Sequence, residues 1–515
     1  MNGIKIIRDS IHGYIEIEPD IAKQIIDSEL FQRLKRIEQT SMRCLYPAAR
    51  HDRFIHSIGT YYLSTMIYHI LEDKFSYLMQ TKEYEDILPD HYTIKCIGIN
   101  FTLAALLHDI GHSPFSHTLE NYFKFEKVDY EGSVIPKIEA ELFDEVRKIC
   151  GENYKFFQID FRAASPAAHE IVSSIVLLRC FIPELTSIAA NRKVELNLEF
   201  LVRAIMGVLY LSNIQEKSQS IKNCYIKLLN SSAIDVDKLD YITRDSQLSG
   251  FDNVIVDTNR LLNSLTPSIY TNHDQGKELV LAFNKTALSV VQNVIISRNS
   301  LYTWIYSHHK VKYESDLLER SIAIMSKEMN AKDPNGYICR TFSVDNIIRS
   351  LLCDDDIWCN LKSYRHIAEI NEIFDRRRQK KAIWKSIVEF RCLFPENEKD
   401  LRIGDFSIDT LNALASARYD DQKEFLDYLS LFEGKHLQFK IVNASIKLSN
   451  IGHNAILINI NNSLVGYDIL LKELNQSYGF PRFFYLYTNN DVNIDKQALV
   501  QYIKEYPKFK LLPPP

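Results

Sequence analysis

The sequence predicts a mainly α-helical protein with a short N-terminal hairpin and a small mixed α/β region at its C-terminal end. Three observations predict it. Apolar residues recur at helical spacing in segment after segment between about residue 20 and residue 390. The alternating stretch Tyr14-Ile15-Glu16-Ile17 follows Lys5-Ile6-Ile7-Arg8 across a turn near Ile11-His12-Gly13. From about Gly434, short runs rich in β-branched and aromatic residues replace the helical pattern.

Taken in chain order, residues 5–17 read as the hairpin. The segments Gln32–Ile37, Ser57–Leu71, Ile97–Asp109, Glu170–Cys180, Leu198–Leu211 and Thr286–Tyr306 read as helices. Ser113 reads as an N-cap with Pro114 at the first helical position, so a helix is expected to restart there. That helix would set His117 and Glu120 three apart on one face. Gln438–Val442, Ala455–Ile460 and Phe483–Thr488 read as strands separated by Asn-rich turns, and Lys496–Tyr506 as a closing helix. The terminal Pro513-Pro514-Pro515 reads as a frayed tail. The expected division is a helical domain over 1–390 and a mixed α/β region over 391–515.

Composition narrows the class. A hydrophobic share of 46% and a charged share of 25% are those of an ordinary globular protein, and 515 residues suffice for a large core. A net charge of −5 argues against general coating of nucleic acid, while leaving room for a local basic pocket. The nine cysteines form no Cys-x-x-Cys pair, which argues against a zinc ribbon or a disulfide framework and for a reducing cytoplasm. The start Met1-Asn2-Gly3-Ile4-Lys5 has no signal-peptide apolar region, and no uncharged apolar run reaches the ~18 residues of a membrane span.

The chemistry is concentrated in Leu106-Leu107-His108-Asp109-Ile110-Gly111-His112-Ser113-Pro114-Phe115-Ser116-His117. An apolar helix ends on a His-Asp pair, whose imidazole and carboxylate are ligand types for Zn, Mn and Fe. A carboxylate at a helix C-terminus opposes the macrodipole, and a bound cation compensates it. Three more segments could join the site: His51-Asp52-Arg53-Phe54-Ile55-His56, His169-Glu170 after Pro166, and Asp235-Val236-Asp237 with Lys238 through Asp245. Singly, each has an ordinary reading. A lone histidine such as His51 or His453 is usually a core or surface residue, and an Asp-rich helix is usually a solvated face.

In order, His56, His108-Asp109 and Asp237 form an H…HD…D pattern that resembles the HD-domain metal phosphohydrolases. The nearest branch is the deoxynucleoside triphosphate triphosphohydrolases, which include dGTPases and a vertebrate dNTP-depleting enzyme. The resemblance covers about Ile4 to Trp384. It is carried by Arg53-Phe-Ile-His56-Ser, His108 through His117, Asp235-Val-Asp237-Lys-Leu-Asp-Tyr241…Arg244-Asp245, and Arg298 through Tyr306. It implies an HD-domain helical core and one divalent ion (Mn, Mg, Fe or Zn) on His56, His108, Asp109 and Asp237. It also implies cleavage of a dNTP between the 5′ oxygen and the α-phosphorus. Two neutral nitrogens and two carboxylates make a near-neutral site for such an ion.

The resemblance assigns further roles. His117 is expected to protonate the leaving oxygen, with Glu120 holding its ring. His112 and His169 match histidines near the α-phosphate, and Glu170 could orient one of them. Arg53, Lys238 and Arg298 match phosphate-binding positions, where a guanidinium grips two oxygens at once. Gln39 and Asp245 match residues that bond the 3′-hydroxyl, Tyr241 a wall against C2′, and Tyr306 an aromatic beside the sugar. Thr40 departs from the pattern, for the vertebrate enzyme has leucine there. A hydroxyl beside C2′ predicts an incomplete preference for deoxyribose.

Family members are often dimers or tetramers activated by a nucleotide at a subunit interface. Asp27 and Gln32 match guanine-reading positions there, whereas Lys35 replaces an arginine and cannot repeat its bidentate contact. The plainer reading is that Asp27 caps a helix from Ser28 and Gln32 is simply exposed. The basic run Arg376 through Lys381 reads either as a solvated helix face or as an interface phosphate site. Two alternatives share the metal motif: an HD phosphodiesterase or nuclease acting on single-stranded nucleic acid, and a nucleotide sensor without catalysis.

Overall fold

The computed structural model describes residues 3–124, 126–128, 134–212, 217–231, 233–252, 254, 256–272, 276–333, 335–394, 419–434, 437–443, 455–461, 463–473, 484–489 and 492–506. His453, the Asn-rich turns over 444–454 and the terminal prolines lie outside the described residues. The fold is mainly helical. Its packing defines two units: one holds 1–300, 329–358 and 449–478, the other 301–328, 359–448 and 479–515. The chain therefore does not divide at a single point near 390.

In the first unit, Lys5–Asp9 pairs antiparallel with Gly13–Ile17, Lys5 opposite Ile17. Gly13 takes a φ of 77° to close the turn, a conformation that costs glycine little. The helices Arg53–Leu78 and His91–Leu107 pack together as the buried centre of the unit. The second is buried on every side over its last three turns, where every residue from Cys96 to Leu107 is buried. Such a stretch has no face to offer water. Around this pair lie Lys137–Cys150, Ala168–Cys180, Leu198–Met206, Lys217–Leu229 and Val236–Ser249. No single helix among the described residues is long and apolar enough to cross a membrane.

A four-stranded sheet in this unit is not anticipated by the helical reading. Leu265–Asn272 and Gly276–Asn284 form an antiparallel hairpin, and Leu457–Ile460 joins it in parallel, with Ser463–Gly466 at the far edge. Pro267 is tolerated because its strand is the other edge.

In the second unit, Phe484–Thr488 pairs with Lys440–Asn443 on one side and Lys381–Ala382 on the other. Trp384, Phe390, Phe425, Leu429 and Leu499 pack into its core. The segment after Gly434 thus contributes strands to both units. Arg376–Arg378 forms a single 3-10 turn held by Asp375, and no helix runs through it.

Three local expectations change. The Leu198 helix stops at Met206, where Gly207 takes a φ of 68°, so Gly207 through Leu211 leave it. Ser113 does not cap a helix: its hydroxyl donates to the Pro114 carbonyl, Phe115 is left-handed at φ 55°, and two 3-10 turns follow, Ser116–Thr118 and Glu120–Phe123. Tertiary bonds explain this. Phe115 N–H donates to Asp354, and Arg33 donates to the carbonyls of Ile110 and His112. Ser28, not Asp27, caps the helix Glu29–Arg33 by accepting from Phe31 N–H.

Candidate metal centre and its neighbourhood

Each candidate ligand stands at a helix end. His56 lies in the first turn of Arg53–Leu78, whose N-cap Asp52 accepts from Ile55 N–H. His108 is the C-cap residue of His91–Leu107, and Asp109 follows it. Asp237 is the second residue of Val236–Ser249, capped by Asp235 through Lys238 N–H. The turn after Asp109 presses against Ala168–Cys180 so closely that a Cβ on Gly111 would sit 2.4 Å from Ser173 N, which only glycine permits.

These ends bring four donor atoms together. His56 Nε2 lies 3.0 Å from Asp237 Oδ1 and 3.6 Å from Asp109 Oδ2. His108 Nε2 lies 3.6 Å from Asp109 Oδ2 and 3.8 Å from Asp237 Oδ1. The ligand atoms of His56, His108 and Asp109 all lie within 4.8 Å of one another, close enough to share one ion, with Asp237 beside both histidines. His108 donates from Nδ1 to Ala105 O at 2.8 Å, leaving Nε2 buried with no hydrogen-bond partner among the described residues. Burial alone would lower the His56 pKa, but Asp237 and Asp240 outweigh it and raise it to about 10. The potential at this point favours positive charge, and the residues fit a divalent cation.

Arg53 is buried beside the set. It donates to Asp109 Oδ2 at 2.7 Å, to Ser116 Oγ at 2.9 Å and to Gln39 O at 3.1 Å. Burial would raise the Asp109 pKa, yet Arg53, His108 and His56 hold it well below the usual range.

A second histidine group adjoins the first. His112, His117 and His169 carry ring nitrogens within 4.8 Å of one another. His112 stacks on His169 with centroids 4.7 Å apart, and His117 stands edge-on to both at 5.1 Å. Glu120 ties two of them together: Oε2 meets His117 Nδ1 and Oε1 meets His169 Nδ1, each at 2.9 Å. The expected His117–Glu120 contact forms without an α-helix. Burial lowers the His169 pKa, but Glu120 wins and lifts it to about 9. His112 is pushed well below its usual value by burial and by Arg53 and His169. Glu170 does not orient a histidine. It accepts from Ala167 N–H at 2.8 Å and from Asn230 at 2.7 Å, closing the start of its own helix.

The other expected residues are placed as follows. Lys238 donates to Asp235 at 2.6 Å and to Ser231 O at 2.9 Å, within electrostatic reach of Arg298. Tyr241 lies one turn after Asp237 on the same helix. Asp245 is buried and accepts from His51 Nε2 at 2.6 Å, so His51 belongs to this neighbourhood. Gln39 Oε1 and Thr40 Oγ1 are buried and lack partners among the described residues. Tyr306 belongs to the second unit, in the helical turn Tyr302–Tyr306, with its ring 5.0 Å from Tyr302. Asp27 pairs with Lys5, while Lys35 donates to Gln32 at 2.7 Å.

Sequence reading missed the residues that hold this site from a distance: Asp9, His12, Arg33, Asp240, Arg244 and Asp354. Arg33 and Asp354 fix the His112–His117 loop through its backbone, and the others converge on His56. Of these, Asp240 and Arg244 stand inside the quoted Asp237 motif, the one signal that could have found them.

Residues 53–244, which carry the candidate ligands at their helix ends, match the HD domain family. The chain is similar to an uncharacterised protein of Methanocaldococcus jannaschii, 27% identical over 335 residues that cover 64% of this chain and 52% of that protein. It is also similar to an uncharacterised protein of Bacillus subtilis, 23% identical over 65% of this chain and 58% of the relative. A shorter stretch of 121 residues is 40% identical to the deoxynucleoside triphosphate triphosphohydrolase SAMHD1 of Danio rerio, covering 23% of this chain and 17% of that enzyme. The chain spans about half the length of the first of the curated relatives it matches. The crystal structure of a hypothetical protein from Aquifex aeolicus shares the fold, with a TM-score of 0.59 and 18% identity over 97% of this chain and 100% of that one.

Proposed function

We propose that the protein is a metal-dependent deoxynucleoside triphosphate triphosphohydrolase that releases a deoxynucleoside and intact triphosphate. The observation that carries this reading is the adjacency of two sets: His56, His108 and Asp109 with ligand atoms within 4.8 Å of one another and Asp237 Oδ1 3.0 Å from His56 Nε2, and three histidines of which two are anchored on Glu120. The stretch of 40% identity to an enzyme of that name supports the substrate class. His56, His108, Asp109 and Asp237 would hold the ion, which would polarise a phosphoryl oxygen and lower the pKa of the attacking water.

The chain's own residues do the rest. Arg53 keeps Asp109 ionised and aimed. Glu120 takes the Nδ1 hydrogens of His117 and His169, so Nε2 of each ring is left to face substrate. The His117 side chain is 62% exposed, open to an incoming ligand. Its surroundings lower its pKa while Glu120 opposes the shift. It is the imidazolium form that gives an Nε2 proton to the 5′ oxygen as it leaves, and the ring returns to neutral. His169, held as a cation by Glu120, stabilises negative charge developing at the α-phosphate. The unsatisfied Gln39 and Thr40 side chains supply polar contacts to the sugar. Activation by a nucleotide near Asp27, Gln32 and Lys35, and assembly into a homo-oligomer, belong to the same reading.

The test is product analysis. Purified protein with Mn²⁺ or Mg²⁺ is incubated with each dNTP, each NTP and single-stranded DNA. Deoxynucleoside plus tripolyphosphate supports the reading. Shortened DNA points instead to a nuclease, and tight nucleotide binding without turnover to a sensor.

A further inference from the structure

We infer that Asp240 is a positioning residue of the metal centre, and that the N-terminal hairpin turn, through His12 and Asp9, is a working part of that centre. The inference rests on the metal reading of His56 and adds to it the groups that decide how His56 binds. Asp240 is fully buried, and its Oδ2 lies 2.7 Å from His56 Nδ1. A ring that donates from Nδ1 carries its lone pair on Nε2, and Nε2 is the atom that faces Asp237 and Asp109. Asp240 therefore selects the tautomer and fixes the ring plane.

Asp240 is itself held from three more directions. Arg244 Nε donates to Oδ2 at 2.8 Å and Nη2 to Oδ1 at 2.8 Å. His12 Nε2 donates to Oδ1 at 2.7 Å across 228 residues of sequence. Arg244 is gripped in turn by both oxygens of Asp9, at 2.9 and 2.7 Å. Asp9 ends the first strand of the hairpin and also accepts from Ile11 N–H, fixing the turn that carries His12. Gly59, three residues after His56, makes room: a Cβ there would lie 2.0 Å from Asp240 Oδ1. A structural ion pair needs only Arg244 and the two acids. The bond from His12 adds a further donor to the oxygen pair that His56 reads.

The test measures metal affinity, not turnover. Chelator-stripped full-length protein is titrated with Mn²⁺, and free Mn²⁺ is read by electron paramagnetic resonance for wild type, Asp240→Asn, His12→Leu and His12→Gln. The Tm of each stripped protein is read alongside. Asp240→Asn is expected to weaken Mn²⁺ binding about 10–100-fold, the range for lost outer-shell partners. His12→Leu is expected to weaken it about 10-fold, the lower end of that range, with the stripped Tm unchanged. His12→Gln keeps an N–H donor and is expected to bind as wild type does. His12→Leu binding as tightly as His12→Gln overturns the inference, whether or not Asp240→Asn folds. Wild type that takes up no Mn²⁺ overturns the metal reading itself, a separate result.

Discussion

His117 and His169 share one carboxylate, and the sharing gives them different tasks. His117 is exposed and, in the proposed mechanism, hands over a proton, while His169 is enclosed and its pKa is lifted by Glu120. His117→Ala is expected to keep metal and lose at least ~100-fold in kcat, the scale of a removed general acid. Steady-state kinetics with metal analysis checks this, and normal turnover would assign the proton to another group. His108→Ala is expected to lose bound metal and activity together with little change in helical content, since one of four ligands is gone. Metal analysis and circular dichroism read both. Thr40 presents a buried hydroxyl without a partner among the described residues. A ribose 2′-OH could satisfy it, so Thr40→Leu is expected to sharpen selection of dNTPs over NTPs in paired competition assays. Equal rejection of NTPs by both proteins would remove Thr40 from sugar selection.

At the scale of the element, the helices were legible because their apolar periodicity is a local signal. Ile97–Asp109 and Glu170–Cys180 read as helices from apolar spacing, and the helices His91–Leu107 and Ala168–Cys180 stand there. The loop from Ile110 to His117 was not legible, because its shape is set by partners far along the chain. Ser113-Pro114 has the local chemistry of a helix start, but Arg33 and Asp354 claim the backbone groups around it. The hairpin over 265–284 was missed for a related reason: Pro267 argues against a strand unless that strand is known to be an edge. Asp354 gives this loop a pH dependence. Burial pushes its pKa up to about 7, against the pull of the N–H groups of Glu38 and Phe115. A raised carboxyl pKa means the folded state holds its proton longer than the unfolded chain, so stability is lost as pH rises. Wild type is therefore expected to lose stability relative to Asp354→Asn between about pH 4 and pH 7. Denaturant unfolding of both proteins across that window checks the sign, and a constant difference would contradict it.

Across the whole molecule, the three segments carrying His56, His108-Asp109 and Asp237 could be proposed as one site because each carries its residues in a short motif. The fold places His56 and His108 each within 4 Å of both carboxylates. Their supports were not legible, since His12 and Asp240 or Arg33 and Leu352 meet only after the chain has folded back across hundreds of residues. The C-terminal third was the least legible part: three of its strands read as strands while Lys381–Ala382 and Ser463–Gly466 did not, and no local signal shows that Leu457–Ile460 joins the first unit while Phe484–Thr488 joins the second. In the proposed function, His56, His108, Asp109 and Asp237 hold one ion on which triphosphate release depends. The most direct test strips the protein with a chelator, returns Mn²⁺ in steps, and follows both bound metal and tripolyphosphate released from a dNTP. Release is expected to rise in proportion to occupancy and to saturate at one ion per chain. Full release by the stripped protein, or pyrophosphate in place of tripolyphosphate, would contradict it.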